Sequence, residues 1–171
     1  MPLMDVRLRE WRADDAPAVL RAFQVPDLRG QAPWPVVTLK DASGWIASWA
    51  GAGHAFAVTV QGDVPGVDEE RVVGNVAVAR LDGHGTGSVS YWVVPEARGR
   101  GVAVAATRLL ARWAFDERGL FRLELGHRTN NPASCRVATK AGFLPEGIER
   151  GKLCSEGVRY DVERHARLAT D

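Results

Sequence analysis

The sequence predicts a mixed α/β domain built on a mostly antiparallel sheet. Short stretches of alternating or β-branched residues recur along the chain, and segments with apolar residues at helical spacing separate several of them. The stretch Val89 to Val94 is strand-like, and a glycine-rich turn and a helical pattern from Val102 onward follow it. A strand after such a helix most often lies parallel to the strand before it. One parallel pair is therefore expected inside the sheet.

The length and composition fit a single domain over residues 1–171. Of the 171 residues, 46% are hydrophobic and 25% are charged, which is enough apolar material for a substantial core. Lysine and arginine (22) nearly balance aspartate and glutamate (21), so the chain has no overall basic field for nucleic acid or an anionic membrane. It contains no signal-peptide core and no apolar run long enough to cross a bilayer. We therefore expect a cytoplasmic protein without nucleic-acid or membrane partners.

Alternation and capping residues place the elements of the first half of the chain. A loop with three prolines separates two helices, and a loop rich in glycine, proline and acidic residues separates two strands. The expected elements are a strand over 6–11, a helix from Asp14 or Asp15 to about Phe23, a loop over 25–37, a helix from about Leu39 to Gly51 or Gly53, strands over 55–60 and 72–81 joined by a loop over 62–71, and a hairpin turn over 82–85.

Glycine, proline and asparagine mark the elements of the second half. Gly119 ends the helix that begins near Val102, and a strand over 121–125 follows. Asn131 is in position to cap a helix whose first turn contains Pro132, and Gly142 ends that helix. Further strands are expected from 143 onward and over 158–168.

The turn between the strand that ends at Val94 and the helix that begins near Val102 predicts an anion site. The first backbone N–H groups of a helix have no internal partner and lie at the positive end of its dipole. Gly99 and Gly101 leave this backbone accessible, and Arg98 and Arg100 add positive charge. A P-loop is excluded because no Gly-Lys-Ser/Thr ending follows, and a dinucleotide-binding turn is excluded because Val104 stands where it has Gly or Ala. The alternative is that the glycines only make a sharp turn.

Two blocks of sequence extend this pattern. The first is Arg98-x-x-Gly101-x-Ala103 after a strand, and the second is Asn131-x-x-Ser134-x-x-Val137-Ala138-x-Lys140-x-Gly142-Phe143-x-x-Glu146-Gly147. Together they closely resemble the GNAT superfamily of acetyl-CoA-dependent N-acetyltransferases, in particular the branch similar to ribosomal-protein alanine N-acetyltransferases. The matches cover about the second half of the chain, and the first half agrees in the order of its elements.

The resemblance implies a ligand and a more detailed fold. The sheet should have six to seven strands with helices on both faces, and its two central parallel strands should splay apart to admit the pantetheine arm of acetyl-CoA. Acetyl-CoA is then the acetyl donor. Separately from the resemblance, no metal is expected, because the two cysteines have no metal-ligand spacing. The implied contacts are Trp92, Val93 and Val94 along the arm, Arg98, Gly99, Arg100, Gly101, Val102 and Ala103 at the diphosphate, and Asn131 and Ser134 at the arm and the sulfur. For Asn131, helix capping alone is the alternative.

Acyl transfer to an amine sets the catalytic requirements. The amine must be neutral, the oxyanion of the tetrahedral species needs a donor, and the departing thiolate needs a proton or a hydrogen bond. The resemblance suggests the backbone N–H of Val93 for the oxyanion and Ser134 for the thiolate. Relatives often carry glutamate at about Ser88, and other branches carry tyrosine at Ala138, but this chain has neither group.

The missing glutamate leaves the general base open. His127 is a candidate because the free pKa of histidine is near neutrality, and Glu124 is a weaker candidate. The alternatives are a purely structural His127 and a water molecule as the base. His54, His84 and His165 have the sequence context of loop or strand-end residues and no identifiable partners.

Several aromatic and sulfur-containing residues have two interpretations. Trp34, Trp45 and Trp49 are either core residues or the apolar lining of an acceptor site, because this region overhangs the acceptor in the family. Cys135 and Cys154 have no metal-ligand spacing, and we expect free thiols, with a disulfide as the alternative.

The resulting hypothesis is direct transfer of an acetyl group to a primary amine in a ternary complex. The acceptor is either a protein N-terminal α-amino group, such as that of a ribosomal protein, or a small-molecule amine. The alternative is a degenerate member that binds acyl-CoA without turnover and acts as a sensor or interaction module, which the missing glutamate favours. The chain could act as a monomer or as a homodimer, since an exposed edge strand can pair two copies.

Overall fold

A computed structural model describes residues 4–61 and 69–171, and its strands form one seven-stranded mixed sheet. The strand order is β1-β2-β3-β4-β5-β7-β6, and among these described strands only the β4–β5 pair is parallel. The strands are β1 (Val6–Glu10), β2 (Gly53–Gln61), β3 (Glu70–Ala79), β4 (Thr86–Val93), β5 (Arg122–Arg128), β6 (Leu144–Ser155) and β7 (Val158–Leu168). The mostly antiparallel sheet is therefore confirmed. Of the loop expected over 62–71, residues 62–68 lie outside the described ranges, and Glu70 and Arg71 belong to β3.

Four α-helices within the described ranges pack against the sheet. They are α1 (Ala16–Gln24), α2 (Leu39–Ala47), α3 (Val102–Asp116) and α4 (Pro132–Lys140). One hydrophobic core lies between the sheet and α3 and α4, and a second, rich in tryptophan, lies between the sheet and α1 and α2. Helices therefore cover both faces, as predicted. None of the helices within residues 4–61 and 69–171 has the length and apolar character needed to span a bilayer.

The ends of the first two helices differ from the prediction. The Asp15 carboxylate accepts the Arg12 N–H at 2.8 Å and pairs with Arg9 at 2.7 Å, so it caps the 3-10 turn before α1 instead of α1 itself. Burial alone would raise the pKa of Asp15, but these hydrogen bonds lower it below its ordinary value. Helix α2 ends at Ala47 because the chain turns there, with the Ser48 hydroxyl donating to the Trp45 carbonyl at 2.7 Å.

The two central strands separate part-way along their length. β4 and β5 are paired at Thr86–Arg122, Gly87–Leu123 and Ser88–Glu124. Beyond these pairs β4 continues along β3 as far as Val93, and β5 continues along β7 as far as Arg128. The backbone edges of β4 and β5 that face each other are therefore left unpaired, and the predicted splay is present.

Candidate functional site

Helix α3 begins beside the open end of β4. Gly99 and Gly101 have φ values of +73° and +78°, which non-glycine residues rarely adopt, and a Cβ atom at either position would have no heavy atom within 4 Å. The glycines are therefore needed for backbone conformation, and the space around them is open. No side chain within the described residues caps Gly101, and the first helical bond to reach it is from the Ala105 N–H at 3.0 Å. The N–H groups of Val102 and Ala103 consequently have no helical partners.

The Arg98 side chain has two partners within the protein. Its Nε donates to the Val93 carbonyl at 2.9 Å, and a terminal nitrogen pairs with the Asp27 carboxylate at 2.6 Å. These contacts fasten the turn to β4 and to the loop after α1. Arg100 is half-buried and also has a partner within the chain. The N–H groups of the turn are thus a better-supported anion site than the guanidinium groups.

The backbone groups at the end of β4 point in two directions, some towards β3 and some into the splay. The Val94 N–H donates to the Val73 carbonyl at 2.9 Å, so this N–H is paired with β3. Val93 lies opposite Gly74 in a pair that is not hydrogen-bonded, so the N–H and carbonyl groups of Val93 point away from β3. The Val93 N–H therefore faces the splay. Trp92 has the opposite orientation, with its backbone towards β3 and its side chain in the tryptophan-rich core.

Helix α4 places its first turn across the splay from β4. The Asn131 side chain accepts the Ser134 N–H at 3.1 Å, which confirms the predicted cap. The Tyr91 hydroxyl donates to Ser134 Oγ at 3.0 Å, so the two hydroxyl groups connect β4 with α4. Burial raises the pKa of Tyr91 above its ordinary value, although the hydrogen bond to Ser134 opposes this, and the phenol stays protonated at neutral pH.

Sequence reasoning did not single out Tyr91. Its signal is positional, because side chains two residues apart on a strand share a face, and Tyr91 lies two residues before Val93. Its partner on α4 is far along the chain, and the sequence alone does not pair them.

A cavity of about 380 Å³ lies between β4 and the α2 region. The three predicted tryptophans, Trp34, Trp45 and Trp49, all line it, together with Gln31, Pro33, Ser48, Ala52, Asn75, Ser90, Tyr91 and Trp92. Among the described residues, every lining side chain is uncharged. The indole nitrogens of Trp49 and Trp92 are buried behind the cavity surface without a hydrogen-bond partner in the described chain.

The two predicted base candidates are bound to neighbouring side chains. His127 is 6% exposed, with Nδ1 at 2.8 Å from the Arg128 carbonyl and Nε2 at 3.0 Å from Nε2 of His165. Both ring nitrogens are therefore occupied, which favours the structural interpretation of His127. Glu124 lies beside Ser88 in the β4–β5 register but forms ion pairs with Arg122 and Arg164.

The structure also gives the surroundings of His165, His54 and the two cysteines. His165 is fully buried in the middle of β7 and contacts His127, so its expected position at a strand end is wrong. His54 packs edge-on against Trp113 with ring centroids 5.0 Å apart, and burial, with Arg118 nearby, lowers its pKa. Cys135 and Cys154 are free thiols, as expected.

The uncapped turn and the open strands lie in a region that matches a known protein family. The "Acetyltransferase (GNAT) domain" family matches residues 5–144. The chain belongs to the GNAT acetyltransferase family. The matched range contains the splay, the turn before α3 and the first turns of α3 and α4.

Curated GNAT relatives in Bacillus subtilis match part of the chain. A "Probable N-acetyltransferase YjcK" is 33% identical over 105 residues, covering 60% of this chain and 58% of the relative. A "Putative ribosomal N-acetyltransferase YdaF" is 34% identical over 80 residues, covering 47% and 44%. The chain thus spans about half the length of these relatives.

Solved GNAT structures match the fold over almost the whole chain. The structure of RimJ from Mycobacterium smegmatis in complex with CoA-disulfide gives a TM-score of 0.82 at 23% identity, covering 96% of this chain and 82% of that one. A ribosomal-protein-S5-alanine acetyltransferase from Vibrio fischeri gives 0.80 at 20% identity, covering 100% and 96%. These two structures therefore share the fold of this chain.

Proposed function

We propose that this protein is an acetyl-CoA-dependent N-acetyltransferase that acetylates a primary amine. The observation that carries the proposal is the β4–β5 splay lying next to the uncapped N-terminus of α3. An extended arm ending in a diphosphate fits this arrangement, because the open strand edges offer backbone hydrogen bonds and the helix N-terminus favours negative charge.

The chain's own backbone groups hold the donor in this proposal. The N–H groups of Gly101, Val102 and Ala103 bind the diphosphate, and the outward-facing N–H and carbonyl of Val93 bind the pantetheine arm. Asn131 has used its oxygen as the cap of α4, which leaves its NH₂ group for the arm. Acetyl-CoA supplies the activated thioester.

Two donors serve the reacting group. The Val93 N–H is directed at the position where negative charge develops on the acyl oxygen. The Ser134 hydroxyl donates to the departing sulfur, and it is prepared for this because Tyr91 already donates to its oxygen. The resulting order of donation, from Tyr91 to Ser134 to the sulfur, makes Ser134 a better donor.

Replacing Tyr91 with phenylalanine removes the donor to Ser134 and keeps the ring. We expect turnover to fall about fivefold, which corresponds to one hydrogen bond of about 1 kcal/mol, with little change in affinity for acetyl-CoA. Steady-state kinetics with Tyr160→Phe as the control test this, because Tyr160 is the chain's other tyrosine and lies on β7. Equal rates for Tyr91→Phe and the native protein contradict this donation from Tyr91 to Ser134.

The cavity beside β4 indicates the acceptor class. Its uncharged lining, with several tryptophans, suits an apolar or aromatic group and offers no carboxylate to a polyamine among the described residues. We therefore propose an α-amino group at a peptide N-terminus as the acceptor. Because the pKa of such an amine is about 8, a water molecule suffices as the base at neutral pH.

Thiol release from acetyl-CoA, followed with a thiol reagent, tests the function. The panel contains peptides with small and apolar N-terminal residues, spermidine and free amino acids, and mass spectrometry identifies the acetylated product. We expect acetylated peptide N-termini and little product from spermidine. Binding of acetyl-CoA without acetylation of any amine in the panel favours the acyl-CoA-binding sensor instead. Preferential acetylation of spermidine contradicts the proposed acceptor but not the acetyltransferase activity.

A further inference from the structure

Four potential metal ligands converge beneath α4. They come from three elements, with His127 on β5, Cys135 on α4, and Glu163 and His165 on β7. The β5–β7 register pairs His127 with Glu163 and Leu125 with His165, so all three sheet residues share the face that α4 covers. His127 and His165 are 6% and 1% exposed. Two imidazoles and a carboxylate are thus held under a helix that supplies a thiol.

The separations between these atoms are within a few tenths of an ångström of the edges of a metal-centred tetrahedron for the four pairs in closest contact. The ligand atoms all lie within 4.8 Å of one another. The two histidine Nε2 atoms are 3.0 Å apart, Glu163 Oε2 is 3.2 Å and 3.1 Å from His127 and His165, and Cys135 Sγ is 3.6 Å from Glu163 Oε2. Metal–ligand bonds of about 2.0–2.3 Å in a tetrahedron place neighbouring ligands about 3.3–3.7 Å apart.

Hydrogen bonds alone leave this cluster poorly paired. His127 Nδ1 is 2.8 Å from the Arg128 carbonyl and must donate a hydrogen to it, so a neutral His127 has a lone pair on Nε2. That lone pair is 3.2 Å from a carboxylate oxygen, which is also an acceptor. His165 can donate the single hydrogen of a neutral Nε2 to His127 Nε2 or to Glu163 Oε2, but not fully to both. One cation at the centre would satisfy all four facing atoms.

We propose that His127, Cys135, Glu163 and His165 bind one divalent transition-metal ion, with Zn²⁺ as the ion that fits best. Zn²⁺ accepts thiolate, imidazole and carboxylate ligands in tetrahedral geometry, whereas Mg²⁺ and Ca²⁺ prefer oxygen ligands. The Arg128 carbonyl orients the His127 ring, as the outer partners of metal-bound histidines commonly do. Four protein ligands close the site, so the ion has a structural role.

The site fastens α4 to the last strands of the sheet. Cys135 follows Ser134 directly, so the ion would fix the helical turn that carries Ser134 and Asn131 against β5 and β7. The expectation of no metal came from ligand spacing along the chain, and the two cysteines do not share the site. Three-dimensional pairing of β5 with β7 brings the ligands together instead.

Metal analysis and cobalt spectroscopy of the full chain test the site. We expect the protein, stripped with a chelator and reloaded with Zn²⁺, to retain one ion per chain after dialysis. Loading with Co²⁺ should give a thiolate-to-cobalt charge-transfer band and the intense visible bands of a tetrahedral ion. Cys135→Ser should lose the charge-transfer band and bind Zn²⁺ at least about tenfold more weakly, while Cys154→Ser keeps both properties. His165→Asn with His84→Asn as its control repeats the comparison for an imidazole.

Alkylation of the native chain provides a test that needs no variant. Zn²⁺ should protect Cys135 from a thiol reagent and leave the exposed Cys154 reactive, as mass spectrometry of peptides would report. Failure of the native protein to retain Zn²⁺ or Co²⁺, or equal loss of metal from Cys135→Ser and Cys154→Ser, would overturn the proposal. So would equal alkylation of Cys135 with and without Zn²⁺.

Discussion

Replacing Ser134 with alanine is expected to lower turnover by about ten- to a thousandfold while leaving the affinity for acetyl-CoA nearly unchanged. The reason is that the hydroxyl acts on the departing sulfur, whose charge develops only during the reaction. The N–H of Ser134 stays bonded to the Asn131 side chain, so alanine keeps the cap of α4. Steady-state kinetics and calorimetry with acetyl-CoA measure the two quantities separately.

The same helix provides the matched control for Ser134. Thr139 is an exposed hydroxyl residue near the end of α4, and Thr139→Ala should leave turnover at the native value. A Ser134→Ala protein with native turnover would remove Ser134 from the chemistry. A loss of acetyl-CoA affinity equal to the loss of rate would instead assign Ser134 to binding.

Gly101→Val is expected to weaken acetyl-CoA binding by about tenfold or more. A β-branched residue does not readily adopt the left-handed conformation at φ +78°, and the strain of about 1–2 kcal/mol displaces the N–H groups that open α3. Since a Cβ at this position has open space, the effect is conformational and not a steric collision within the protein. Titration calorimetry with acetyl-CoA measures the change.

Gly119, beyond the other end of α3, separates binding from general strain. It has φ +65° and equally open surroundings, so Gly119→Val introduces similar backbone strain away from the turn. Both variants should unfold at somewhat lower denaturant concentration, but only Gly101→Val should lose affinity. Equal affinity in the two variants would remove the turn from the diphosphate site.

The local elements were predictable because their signals are local. The Asn131 cap, the α3 helix after Gly101 and the hairpin between β3 and β4 follow from neighbouring residues, and the structure confirms them. The end of α2 was misplaced because Trp49 continues the apolar spacing of the helix, whereas Ser48 already bonds to the Trp45 carbonyl.

The features of the site that the sequence did not reveal are contacts between distant segments. The Arg98 side chain pairs with Asp27 in the loop after α1, which lies far from it in the sequence. His165 had no visible partner because β7 inserts between β5 and β6, an order that the sequence does not reveal, and this brings it to His127. The role of Tyr91 likewise depends on a partner across the splay.

A crystal structure of the chain with CoA tests the central claim most directly. We predict the diphosphate within hydrogen-bonding distance of the N–H groups of Gly101, Val102 and Ala103, with the pantetheine arm between β4 and β5 and bonded to Val93. A diphosphate bound elsewhere, for example in the basic cleft lined by Arg108, Arg112 and Lys140, with β4 and β5 closed on each other, would contradict it.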